Sequence, residues 1–169
     1  ERPSHVGRYW DTVADTIGLI AVMWAFGTVL GWNIALTSLL ILSILLQYSF
    51  FNHFSILVRV LGSGDSTSRI DERVRPVAQP WESQTMVNIF HTIYVLFFSW
   101  QDSLVSKISG KGSKNLRFEL TVSSFLGYGM QSIVIFLLAL TQNLDSLPHL
   151  VLGVNVFLVA LVLLRSRLG

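Results

Sequence analysis

Between Thr16 and Val58 the chain carries no Asp, Glu, Lys or Arg. This run of 43 uncharged residues is twice the roughly 20 needed for one helical passage through the hydrocarbon core of a bilayer, and it suffices for two helices joined by a tight turn. A helix on the surface of a water-soluble fold needs a charged or polar face, whereas a helix in lipid does not. The rest of the composition agrees. Apolar residues make up 51% of the 169 and charged residues 13%, about half of the roughly 25% charge usual in soluble domains.

These features predict an all-α integral membrane protein, a single membrane domain over 1–169 with four transmembrane helices arranged as two hairpins and one interfacial amphipathic helix. The expected crossings are 12–31, 34–58, 118–141 and 148–164. Gly31, Trp32 and Asn33 form the expected turn between the first two, with glycine and asparagine suited to positive φ and tryptophan to the headgroup layer. A polar loop over 62–83 separates the hairpins. It contains a Gly/Ser-rich stretch from Gly62 to Ser68, a densely charged stretch from Arg69 to Arg75, and the stiffening prolines Pro76 and Pro80. The chain begins at Glu1 rather than Met, which reads as a processed or trimmed form, and polar 1–15 carries no secretory-signal pattern.

The segment 84–108 decides the topology. Its apolar heart, Met86 to Trp100, tempts a fifth crossing, and five helices remain the alternative. Polar residues recur along it at Gln84, Asn88, His91, Thr92, Ser99, Asp102, Ser103 and Ser106, mostly on one helical stripe. Charge arbitrates between the two arrangements. If the segment crosses, the basic residues divide evenly: Arg2, Arg8, Arg59, Arg69, Arg73 and Arg75 face one side, and Lys107, Lys111, Lys114, Arg117, Arg165 and Arg167 the other. If it lies in the interface, all 12 fall on one side. The positive-inside rule favours the second arrangement, which puts both termini on the cytoplasmic-type, basic side.

Small residues supply candidate helix-packing or partner faces. Gly27 and Gly31 are four apart in the first crossing, and Ser123, Gly127 and Gly129 form a similar groove in the third; such spacing lets backbones approach closely. The face serves either a partner subunit or the chain's own helices. Gln47, Gln131 and Asn155 are polar groups within spans, and Glu119 sits at the start of the third crossing. They act either as interhelical hydrogen-bond glue or as the lining of a pathway, with Glu119 also placed to reach headgroup water and to favour the positive end of a helix dipole. His53 and His91 are candidate axial ligands of a b-type haem, and the alternative is hydrogen bonding at the interface.

No further cofactor and no metal site is indicated. The absence of cysteine removes disulfides, thiolate metal sites and cysteine nucleophiles. Gly110 to Lys114 lacks the spacing of a phosphate-binding loop, and no hydrolase motif occurs. The basic residues are dispersed at helix ends without an aromatic-rich stripe, which excludes a nucleic-acid partner. The sequence therefore points to a non-enzymatic multi-pass scaffold or accessory subunit, with the lipid bilayer and other membrane subunits or further copies of itself as partners. A small oligomeric channel or transporter, with Gln131, Asn155 and Glu119 facing a pathway, is the alternative.

Overall fold

The structure is a computed structural model that describes residues 2–61, 74–109 and 116–168. The stretch from Gly62 to Arg73 and the glycine–lysine stretch around Lys111 and Lys114 lie outside the described residues. Among those described, the secondary structure is all helix, with no strand. Helices α1 (His5–Val29), α2 (Ile34–Leu61), α3 (Gln84–Ser109), α4 (Leu116–Ser123), α5 (Tyr128–Leu140) and α6 (Leu147–Leu168) follow in order.

Three helical stretches, His5–Val29, Ile34–Val60 and Arg117–Leu140, are long and apolar enough to cross a membrane, as expected of an integral membrane protein. Within the described residues, Leu144–Val159 is a shorter apolar helix. α3 is long enough, yet its recurring polar residues leave it outside that set.

α1 ends because Gly31, at φ 69, takes the left-handed conformation that closes a helix most cheaply. Trp32 N–H then donates to the Gly27 carbonyl at 2.8 Å, the six-to-one bond of a Schellman motif. Asn33 opens α2 by accepting the Leu36 N–H on Oδ1 at 2.8 Å. The second short turn uses the same device with a poorer residue: Gln142 has φ 55, and Asn143 N–H reaches the Leu138 carbonyl at 2.8 Å.

α2 is the central helix. It packs against α1, α3, α4 and α6, and Leu40, Ile44, Gln47, Phe50 and Phe54 form a buried seam along it, spaced three and four residues apart, while Leu39 and Leu42 point outward. Near the 31–33 turn, Met23, Leu40, Ile44, Leu147 and Val151 form one buried cluster. At the opposite end Phe50, Phe54, Val105, Leu126 and Leu158 form a second, and Tyr9, Tyr94 and Phe98 a third.

α3 joins only the two clusters remote from the turn. Val87, His91, Tyr94, Phe98, Gln101 and Val105 are buried, and their spacing of four and three residues is that of a helix seam. The sequence reading separates a polar stripe from an apolar face. In the structure the inward seam mixes the two, while Ile89, Leu96, Phe97, Trp100 and Leu104 point outward. Facing elements decide this: Tyr9 offers its ring to His91 and Tyr94, and Ser49 offers a hydroxyl to Gln101.

The third expected crossing is helical but not continuous. A 3-10 turn at Ser124–Leu126 follows α4, and Gly127 is extended at φ −69, ψ 152 before α5 begins. The hydroxyls explain the break. Ser123 and Ser124 donate to the carbonyls of Leu120 and Thr121 at 3.1 and 2.7 Å, competing with the helical ladder for those acceptors.

The described end of the polar loop is docked on the start of α1. Glu82 Oε1 accepts the Val6 N–H at 2.8 Å and the Ser4 hydroxyl at 2.7 Å, while Ser4 Oγ, the N-cap, accepts the Gly7 N–H at 3.0 Å. Trp81 Nε1 donates to the Pro3 carbonyl at 3.2 Å, and the Arg2 guanidinium lies over the Trp81 ring. Partial burial pushes the Glu82 carboxyl up, but the Val6 N–H, the Ser4 hydroxyl and the Gln79 and His5 N–H groups outweigh it and hold the carboxyl below its ordinary value. A depressed carboxyl stabilises fully above its unfolded pKa and loses that contribution as pH falls through its folded pKa. Acidification below the ordinary glutamate range is therefore expected to free the first turn of α1, read by amide exchange at Val6 and Gly7. Glu82→Ala should remove this acid-dependent step and cost roughly 1 kcal/mol at neutral pH, the worth of a helix cap. Exchange at Val6 that is the same in the variant and independent of pH would refute it.

Candidate functional site

The polar groups of the spans converge. Gln47 on α2 donates through Nε2 to the Val151 carbonyl at 3.0 Å and to Asn155 Oδ1 at 2.8 Å, both on α6. Gln131 on α5 donates through Nε2 to Gln47 Oε1 at 3.1 Å and to the Leu126 carbonyl at 3.1 Å. Three helices are thus tied by one chain of amides. The backbone carbonyls are unambiguous acceptors, so they fix which end of each glutamine amide is nitrogen. Gln47 is only 2% exposed, and each of its amide atoms is used.

The helix break makes this arrangement possible. α5 starts afresh after Gly127, which has no side-chain cap, so the Leu126 carbonyl precedes the new helix and takes its bond from the Gln131 side chain. An amide placed one turn inside a helix satisfies an acceptor that the break releases. Beside the cluster, between α2, α5 and α6, lies a cavity of about 220 Å³.

The small residues fare differently from one another. A Cβ at Gly27 would collide with the Thr37 side chain of α2, with Cγ2 at 3.1 Å and Oγ1 closer still. At Gly127 it would meet the Phe51 ring and the Ser124 carbonyl, each at 3.3 Å. Both glycines therefore serve close approach within the chain. Ser123 is buried and spends its hydroxyl on its own helix. Gly31 belongs to the turn, and neither it nor Gly129 has an atom within 4 Å of an added Cβ.

Glu119 lies in the first turn of α4, where the helix dipole favours a carboxylate, and it is not part of the amide cluster. His91 is 3% exposed and packs edge-on to Tyr9 at 5.7 Å, so it faces inward instead of occupying a water-facing stripe. His53 packs edge-on to Phe54 at 5.4 Å. The two imidazoles have different aromatic neighbours, and neither lines the cavity. Among the described residues no group of three or more His, Cys, Asp or Glu is placed to hold a metal.

Two further links escape the sequence reading. The Ser49 hydroxyl lies 2.7 Å from Gln101 Oε1, with Gln101 2% exposed, and pins α3 to α2. Tyr48 and Tyr128 stack at 3.8 Å and 7°, seating the first residue of α5 on α2. Gln101 is detectable in the sequence only as a member of the four-and-three seam from Val87 to Val105. Nothing local marks Tyr48 and Tyr128 as a pair.

Fold and cluster define a class: a helical protein with, among the described residues, three helices long and apolar enough to cross a membrane and an amide-bonded interior. Comparison with protein-family models, curated proteins and solved structures finds no match to this chain, so its function is argued from its own geometry.

Proposed function

We propose that the chain is a non-enzymatic multi-pass membrane scaffold or accessory subunit of a larger membrane complex. It crosses the bilayer four times as two hairpins (α1–α2, and α4/α5–α6), α3 lies along the basic interface, and both termini share that side. The 12-to-none partition of Lys and Arg supports this topology, as does the packing of α3 against the end of the α1–α2 pair remote from its turn.

The observation that carries the functional reading is the amide cluster. Gln47 and Asn155 spend hydrogen bonds on each other, Gln131 spends its nitrogen on Gln47 and Leu126, and apolar residues surround them. Polar groups used in this way join helices and are poorly disposed to exchange with a passing ion. Partner contacts would then use the outward apolar faces, such as Ile17 and Val22 on α1 and Ile133, Phe136 and Leu140 on α5.

Gly18, Gly129 and Gly153 have open space around them, so leucine at these positions probes outward surfaces without touching the interior. In mild detergent the chain is expected to migrate with partners as a species larger than its own micelle, and at least one of these leucine variants should release it. A homo-oligomer without other subunits that conducts ions in liposomes, with flux abolished by Gln131→Leu, would replace the scaffold with the channel. The topology has its own check: tags at the two termini should be labelled together or protected together by an impermeant reagent on sealed vesicles. Labelling of one terminus alone would require an odd number of crossings and overturn the four-crossing arrangement.

A further inference from the structure

The cavity beside the amide cluster differs from ordinary packing defects in two respects. Its volume of about 220 Å³ exceeds the roughly 150 Å³ of an engineered apolar cavity that admits benzene. Its lining also combines apolar side chains, among them Ile44, Val134, Ile135, Val151 and Val154, with the Gln47 and Gln131 amides. The space exists because α5 reaches α2 through a side chain. Gln131 spans the gap, and no residue of α5 is fully buried. Phe125 and Leu150 form part of the lining and are largely exposed, so the cavity adjoins the outer, apolar perimeter.

One hydrogen-bonding atom remains over. The Gln131 nitrogen is committed to Gln47 and to Leu126, and its Oε1 is buried and accepts no hydrogen bond from the described residues. The amide cannot be turned end for end to remove this, because Leu126 offers a carbonyl, and a carbonyl needs the nitrogen. A buried acceptor in apolar surroundings attracts a donor. The torsion that carries the amide is soft, which lets the oxygen lean toward a group entering the cavity.

We infer that the cavity between α2, α5 and α6 binds an apolar ligand carrying a single hydrogen-bond donor, in chemical terms a hydrophobic alcohol or phenol, whose hydroxyl donates to Gln131 Oε1. The walls provide affinity in proportion to the apolar surface they cover; the oxygen provides the selection. A ligand of the same shape without the hydroxyl leaves the acceptor unmet, and a polar ligand cannot use the walls. The inference goes beyond the scaffold role and does not depend on it. It shares with that role only the membrane setting, from which such a ligand would enter.

The test uses the full chain in mild detergent and two fluorinated probes of matched shape, 4-fluorophenol and 4-fluorotoluene, followed by fluorine NMR at equal concentrations within the micelle. Saturable binding of the phenol is expected, about tenfold tighter than that of the toluene, the worth of one net hydrogen bond. Gln131→Leu should erase the tenfold preference. Because that variant also loosens α5, Val134→Phe provides the independent arm: it fills the space, leaves the amides in place, and should abolish saturable binding of both probes while the unfolding midpoint stays near that of the parent. Equal binding of the two probes would mark the space as one for lipid chains and overturn the inference. Unsaturable partitioning of the phenol, or undiminished binding by Val134→Phe, would overturn it equally.

Discussion

Replacing Gln47 with leucine is expected to destabilise the protein by about 2–3 kcal/mol, the largest effect of any single polar substitution here. The side chain makes hydrogen bonds to α5 and α6 simultaneously. Interhelical bonds of this kind contribute roughly 0.6–2 kcal/mol each. The greater part of the loss comes from what is left behind, since removing one partner strands Asn155 Oδ1 and one N–H of the Gln131 amide in apolar surroundings. This reasoning has a counterpart of opposite sign. Replacing Gln47, Gln131 and Asn155 together with leucine removes the paired amides and leaves the Leu126 carbonyl without its Gln131 donor, so it should cost less than Gln47→Leu alone. Unfolding in mixed detergent micelles measures both. A triple variant less stable than the single one would show that the cluster contributes net attraction and not mainly mutual satisfaction.

The second large effect is expected at Gly27. Leucine there must displace Thr37 and prise α1 from α2 beside Met23 and Leu40, at a cost of about 3 kcal/mol, the upper range for overpacking. Gly27→Ala is the sharper measurement. Alanine gains roughly 1 kcal/mol of helix propensity over glycine, so any net loss reports the collision with Thr37 Oγ1 and Cγ2. In a Thr37→Ala background those two atoms are gone, and the same substitution should become neutral or stabilising. Gly18→Leu, on the open face of the same helix, should stay within about 0.5 kcal/mol in the isolated chain. If Gly27→Ala stabilises the parent, close approach at this position is not what holds α1 to α2.

The fold was legible wherever a single helix sufficed to express it. The uncharged run from Thr16 to Val58 specifies two long apolar helices whatever surrounds them, and Gly31 ends the first because only glycine takes φ 69 without cost. The site was legible as a set of residue types. Gln47, Gln131 and Asn155 are conspicuous in apolar surroundings, since each must find a partner there. Their mutual pairing was not legible. Separations of 84 and 108 residues leave no local trace, and which amide meets which depends on how α5 and α6 are set against α2.

Two arrangements depart from the sequence reading, each for its own physical reason. Ser123 and Gly127 fit a packing groove, and Gly127 does approach Phe51 closely, but the expectation of a continuous helix takes no account of the Ser123 and Ser124 hydroxyls turning back onto their own carbonyls. His91 and Gln101 fit a polar, water-facing stripe or no stripe at all, because a helix taken alone cannot show that Tyr9 and Ser49 wait on the facing elements.

The sequence by itself determined that the chain is helical and apolar enough to enter a bilayer, since charge and hydropathy act on each segment separately. Only the tertiary structure decided that Gly27 serves Thr37, and that three distant amides close on one another while Gln131 keeps an oxygen to spare. Those outcomes depend on distances between helices, and such distances are fixed by side chains meeting across the fold.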